Sequence, residues 1–489
     1  MKKILPLVVS LFSVLTLSAQ TEYSVFTATG RGVATTFETD YHSVGINPAN
    51  LGFKRVYENK HVTFGLMEVG FSGYSDALQK KDFRKSITDF GSSSFTWDQK
   101  SKAASQFVNA PLSLNADINW FGISYQNDKI GGFAFNIRES GRWYSTFNKN
   151  FSEFLFLGYK ASYFDSLQLN NGQTVANNPS NYHYADSVGI SQGFRIPSNA
   201  QLYSEIFGGT RMSFLYYREY SLSYGKEFKL NDFFALAGGV SVKYLQGYAM
   251  MNIDFTKNTL TSVGAFSPFL GVDFGSATKT NPSADTTNRY KPVGSGMGAD
   301  FGFNLYYKEK IKVGVALTNV GSISWDGNVY SIQDTSLYNI KSNGFDSYNI
   351  IQESDKIISS KGFFKWEGKH KVKTTLPTLL RIGASQQFED KAEIGVDFII
   401  PMNKQPGQLY KPYWAVGGDL KVLKFLRLSA GVAHGGNYNS RVNIPVGVTF
   451  IVGEHGTWEF GFSSRDAVTY FREKGPALSF AFGFLRFRA

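Results

Sequence analysis

Apolar and small or polar residues alternate with a period of two along most of the chain. Val442, Ile444, Val446, Val448, Phe450 and Val452 alternate with Asn443, Pro445, Gly447 and Thr449. Ile394, Val396, Phe398 and Ile400 do the same around Gly395 and Asp397, and Leu478, Phe480, Phe482 and Phe484 around Ser479, Ala481 and Gly483. Successive residues of a strand point to opposite faces, so each such stretch has one bulky apolar face and one small or polar face. The pattern predicts strands near 61–72, 112–126, 129–143, 211–229, 232–256, 295–308, 311–325, 375–388, 391–403, 411–423, 425–433, 442–453, 456–465 and 477–487. That is an even set of fourteen, most of them long enough to cross a bilayer at a tilt.

The links between these stretches sort by length. Asn127-Asp128, Leu230-Asn231, Lys308–Lys310, Glu389-Asp390 and Glu454-His455 are tight polar turns. Between them lie long connections near 73–111, 144–210, 257–294 and 326–374, and shorter polar loops near 404–410, 434–441 and 466–476. Short periplasmic turns alternating with longer external loops characterise outer-membrane barrels. A soluble sandwich shares the alternating faces but has no reason to sort its loops. The expected fold is therefore all-β: an antiparallel transmembrane β-barrel of about 14 strands. Apolar spacing at 76–91 and 97–109 predicts helices in the first external loop.

Composition narrows the class further. Of 489 residues, 16% are aromatic and none is Cys, and mean hydropathy is -0.20. No apolar run beyond the first twenty residues is long enough for a membrane-spanning helix, and zero Cys excludes disulfides, thiolate metal sites and a Cys nucleophile. The aromatic surplus fits a lipid-facing wall. Trp120, Tyr125, Trp143, Trp325, Trp414 and Trp458, near strand ends, suit interfacial girdles. Inward positions carry Asp300, Asn304, Lys312, Glu393, Asp397 and Arg427, which reads as an ion-pair lattice lining or filling a lumen.

Lys2, Lys3, the apolar stretch Ile4 to Leu17 and Ser18-Ala19-Gln20 form a secretory leader cut after Ala19. The expected division is a signal peptide at 1–19, an N-terminal plug segment at 20–60 and the barrel at 61–489. The formal net charge of +11 is dispersed, with no basic cluster for nucleic acid. Residues 24–54 carry Gly30, Gly32, Gly45 and the Asn47-Pro48 turn but too few apolar groups for an independent domain. Irregular backbone at membrane depth is tolerable only when enclosed by protein, so this segment is expected inside the barrel, with Asn47 fixing its turn and Asp300 and Arg427 satisfying its amides.

Asn47-Pro48-Ala49, just ahead of the first strand, resembles the FadL-like family of outer-membrane barrels, which includes PorV-type barrels of secretion systems. The resemblance implies a fourteen-stranded barrel with an internal N-terminal hatch. Its functional implication is passive transport of a small hydrophobic molecule or, alternatively, a non-transporting scaffold for a secretion or surface protein. Gly296–Phe303, Leu317–Trp325 and Leu376–Ala384 resemble a Bacteroidota-type subgroup of uncharacterised outer-membrane proteins. Expected partners are outer-membrane lipid, the barrel-assembly machinery and that small molecule or protein. The location expected is the outer membrane, with no cofactor. The six histidines are far apart in sequence with no metal-ligand spacing, and no nucleophile elbow or phosphate loop is present. The expectation is a non-enzyme.

Overall fold

The structure is a computed structural model that describes residues 25–53, 61–82, 94–256, 258–285, 287, 289–353, 355–359, 364–437, 442–453, 456–471 and 477–489. The leader, and 83–91 of the first expected helix, lie outside them.

Fourteen strands form one closed antiparallel wall. They are β1 (Val62–Ser75), β2 (Leu112–Asn127), β3 (Gly131–Thr146), β4 (Arg211–Lys229), β5 (Phe234–Thr256), β6 (Gly294–Tyr307) and β7 (Ile311–Trp325). Then come β8 (Leu379–Phe388), β9 (Ala392–Pro401), β10 (Tyr413–Leu423), β11 (Leu426–Gly435), β12 (Val446–Val452), β13 (Thr457–Ser464) and β14 (Ala477–Arg488). β14 pairs with β1, so no ladder group is left at an open edge. Two predicted strands are interrupted at prolines. Val372–Thr375 precedes β8 across Pro377, and Val442–Asn443 precedes β12 across Pro445, since Pro has no N–H for the ladder.

The outward face is apolar along its length: Phe398, Val396, Phe303, Phe301, Val242 and Leu222 are all exposed. Tyr125, Trp414 and Trp458 are exposed near strand ends, as the girdle expectation requires. Trp325 is not. It is fully buried, its ring against Gly247 and Gly294 and its Nε1 donating to Thr374 Oγ1 at 2.8 Å. The cause lies six residues earlier. Asn319 adopts a left-handed φ of 58° at a bulge opposite Asp300, and one extra residue reverses the faces of the rest of β7.

A second phase reversal spans three neighbouring strands. β14, β1 and β2 each carry one extra residue at the same level, around Phe484-Leu485, Leu66-Met67 and Trp120-Phe121. Strict alternation would send Arg486 and Arg488 into lipid; the bulge turns both inward, along with Glu68. Phe480 keeps its outward parity but is covered, at 2% exposure, whereas Phe484 is 66% exposed.

The long connections fold together as a cap at one end. Helix Trp97–Gln106 falls within the second predicted helix, but the cap is not only helical. Strands Ser166–Leu169, Thr174–Ala176, Ile190–Phe194 and Asn339–Ile340 make a separate four-stranded sheet. Thr259–Phe266, Val329–Ile332 and Trp366–Gly368 extend the wall upward. Most of these runs, two to five residues long, were too brief for periodicity to reveal, and Thr259–Phe266 lacks a clean alternation. The cap core is aromatic: Phe107, Phe151, Phe154, Phe207, Phe255 and Phe364 are buried in one cluster.

Candidate functional site: the lumen and its inner segment

Residues 25–53 lie within the barrel and are buried almost throughout. Gly and Pro, with few apolar residues, prevent a long regular element, and the segment forms only short turns: Phe26–Thr29, Tyr41–Ser43 and Pro48–Gly52. Its polar backbone is therefore met by inward side chains of the wall, as buried polar groups require.

Asn47 sits at the centre of one such junction. Its Oδ1 accepts from Ala49 N at 3.1 Å, capping the Pro48–Gly52 turn. Its Nδ2 donates to Thr35 O at 3.1 Å and to Asn304 Oδ1 at 2.7 Å. Asn304 Nδ2 in turn donates to Asn50 Oδ1 and to Tyr306 OH. Pro48 and Ala49 pack against β4, β5 and β6. Asp397 Oδ2 accepts from Ala34 N at 2.7 Å and Thr35 N at 3.0 Å. Lys312 Nζ donates to Glu393 Oε1 at 2.9 Å, and Ser385 bridges Glu393 to Thr36.

One expected contact falls elsewhere. Asp300 serves the wall rather than the segment: Oδ1 accepts from Asn319 N at 2.7 Å and Oδ2 pairs with Lys243 at 2.9 Å. It has become the brace of the β7 bulge. Arg427, on the inward face of β11, lies opposite Thr449 of β12, and the segment's amides at Ala34 and Thr35 are met by Asp397.

A further set of charges was not legible in the sequence. Arg31 pairs with Glu38 and, at 2.6 Å, with Asp419. Asp40 and Glu459 both pair with Arg486. His42 Nε2 lies 2.8 Å from Glu68 Oε1, which also accepts from Tyr41 OH at 2.6 Å, while Asn119 Nδ2 donates to Glu68 Oε2. Glu68 and Arg486 stand just beyond the three-strand bulge, so strict alternation placed them on the wrong face. The only available signal was Arg31 inside Thr29-Gly-Arg-Gly.

Glu38, Asp40 and His42 converge with one ligand atom each inside 4.8 Å. Arg31 and Arg486 already neutralise the two carboxylates, so the cluster is self-compensated. Beside it a cavity of about 20 Å³, room for a water or two, is lined by His42, Glu68, Asp117, Asn119, Asn136 and Arg138.

A closed antiparallel wall with an apolar outer band and a polar, occupied interior defines a transmembrane β-barrel of the outer-membrane kind. Residues 55–453 match the family described as "Family of unknown function (DUF5723)", and the chain belongs to that family. Among curated proteins none matches it. Solved structures of similar shape include a deletion mutant of the TodX monoaromatic hydrocarbon channel, at 11% identity and TM-score 0.45, covering 95% of this chain and 98% of that one. The Ralstonia pickettii toluene transporter TbuX is 10% identical with TM-score 0.41, covering 95% and 97%. A Pseudomonas aeruginosa FadL homologue is 11% identical with TM-score 0.38, covering 96% and 99%.

Proposed function

We propose that this protein sits in the outer membrane and passes a small hydrophobic ligand without opening an aqueous pore, residues 25–53 acting as a plug. The observation that supports this is the separation of chemistries. Ion pairs and amide hydrogen bonds tie the segment to the wall all round the lumen, an arrangement that favours a lumen closed to ions. Apolar side chains are concentrated instead in the packed core of the cap and on the outer wall, the kind of surroundings into which a hydrophobic molecule partitions. The binding chemistry is that of an apolar or aromatic small molecule.

A second reading, a non-transporting scaffold for a secretion or surface protein, draws on the polar filling of the lumen and on the separate four-stranded sheet of the cap. One experiment divides the two: purification from native outer membrane with mass spectrometry of bound lipids and co-purifying proteins, followed by planar-bilayer recording. A bound apolar small molecule and near-zero ion conductance support the transporter. A stoichiometric protein partner without small molecule supports the scaffold. Open-porin conductance of the intact protein overturns the plug in either reading. Deleting 24–54 is expected to leave a heat-modifiable barrel of greatly raised conductance.

A further inference from the structure

Every one of the fourteen strands presents a glycine to the inner segment. At each, an added Cβ would come within 3.1 Å of an atom of residues 26–51. The glycines fall into matched groups across the ladder: Gly65 opposite Gly122; Gly132, Gly225, Gly239 and Gly302 in a row; Gly314 opposite Gly383. On the other half Gly395, Gly417 and Gly431 stand in a row, Gly447 stands alone, and Gly461 faces Gly483.

The segment visits this ring in an ordered course. Phe26 lies on Gly461 and Gly483, Gly30 on Gly447, and Arg31 O on Gly417 and Gly431. Thr35 and Phe37 lie on Gly383 and Gly395, then Tyr41 crosses to Gly65 and Gly122. Asn47 reaches Gly302 and Gly314, and Pro48 to Leu51 finish over Gly239, Gly225 and Gly132. Glycine weakens an isolated strand. Its use on all fourteen strands at the level of one segment is explained by close approach of that segment's backbone and rings.

We infer that these glycines form one receptor ring for residues 26–51, so that the N-terminal segment is a permanently seated hoop around which the wall closes. Contact with every strand distinguishes a hoop from a door hinged on one side. Any ligand then moves through rearrangement of cap or wall while the hoop stays in place. The inference concerns seating, not sealing: conductance tests the plug, and the following experiment tests the ring.

The chain has no cysteine, and Ser43 is fully buried in the segment, so Ser43→Cys gives a single reporter thiol in the full-length protein. Gly238 and Gly239 are neighbours on β5, but a Cβ at Gly238 meets nothing within 4 Å while one at Gly239 meets Pro48 and Ala49. With an impermeant maleimide, the reporter should stay protected in the parent and with Gly238→Val. With Gly239→Val its labelling rate should rise on the order of tenfold or more, as for a locally opened site. Gly239→Ala and Gly417→Ala supply milder tests should the valine variant fail to assemble. Equal protection in folded Gly238 and Gly239 variants overturns the ring, and so does rapid labelling of the parent protein.

Discussion

The lumen and the cap are two interiors of one chain, built from opposite chemistry. The cap meets water and can hide apolar rings, so it forms an ordinary hydrophobic core: Phe207 lies 5.0 Å from Phe151, 5.2 Å from Phe154 and 5.4 Å from Phe255. The wall meets lipid, so its apolar residues are spent outward and alternation leaves small and charged residues inside. There the segment is held by polar contacts to Asp397, Asn304, Arg486 and Glu68, with Phe26, Phe37 and Tyr41 laid singly on wall glycines. Hydrophobic burial tells inside from outside only where the solvent is water.

That contrast predicts which damage each region feels. Phe207→Ala should loosen the cap by about 3–5 kcal/mol, read as protease sensitivity of the cap, with bilayer conductance unchanged. A rise in conductance would show that the cap, not the segment, keeps ions out. Val396→Arg on the outer face of β9 should cost about 2–4 kcal/mol near the midplane in urea unfolding from detergent. A neutral result there would place that face away from hydrocarbon.

Smaller effects sharpen the comparison. Asp397→Ala strands the buried amides of Ala34 and Thr35, costing about 1–3 kcal/mol. Hydrogen exchange should speed up at those two amides and stay as before in the cap; spreading into the cap would show the two interiors to be coupled. The smallest effect concerns pH. Burial acts to raise the Asp346 carboxyl, but hydrogen bonds from Lys356 at 2.8 Å and Lys100 hold it below its ordinary 3.8. Its stabilisation is therefore present above pH 3.8 and is lost as pH falls through the lowered folded value. Protection of the Phe345 amide, taken relative to its intrinsic exchange rate at each pH, should be lower at pH 3 than at pH 7, and Asp346→Asn should flatten the difference.

The fourteen strands and their sorted connections were legible because alternation is imposed by lipid on one side along the whole wall. Asp397, Asn304, Lys312 and Glu393 were legible as inward for the same reason. What escaped on the wall at Trp325, Glu68 and Arg486 was a change of phase. Trp325 was assigned to the girdle because nothing in Leu317–Trp325 announces that Asn319 takes a left-handed turn. Glu68 and Arg486 were hidden by an extra residue that three strands share. Most cap strands escaped because a run of two to five residues carries no measurable period, and Thr259–Phe266, though eight long, has no clean alternation.

The bulges also fix how the chain can change in length. Each wall position carries a one-bit address, lipid or lumen, set by counting from the strand's start. Asn319 and the shared extra residue of β14, β1 and β2 are toggles in that count. Removing one residue at Asn319 would send Trp325 outward. Removing one at Phe484-Leu485 would deliver Arg486 and Arg488 to the acyl chains, and β1 and β2 would no longer match their neighbour. An insertion at Gly172, in an open cap turn, changes no address at all. Length variation between relatives should accordingly collect in the connections, and where it enters the wall it should come in pairs of residues or in several neighbouring strands together.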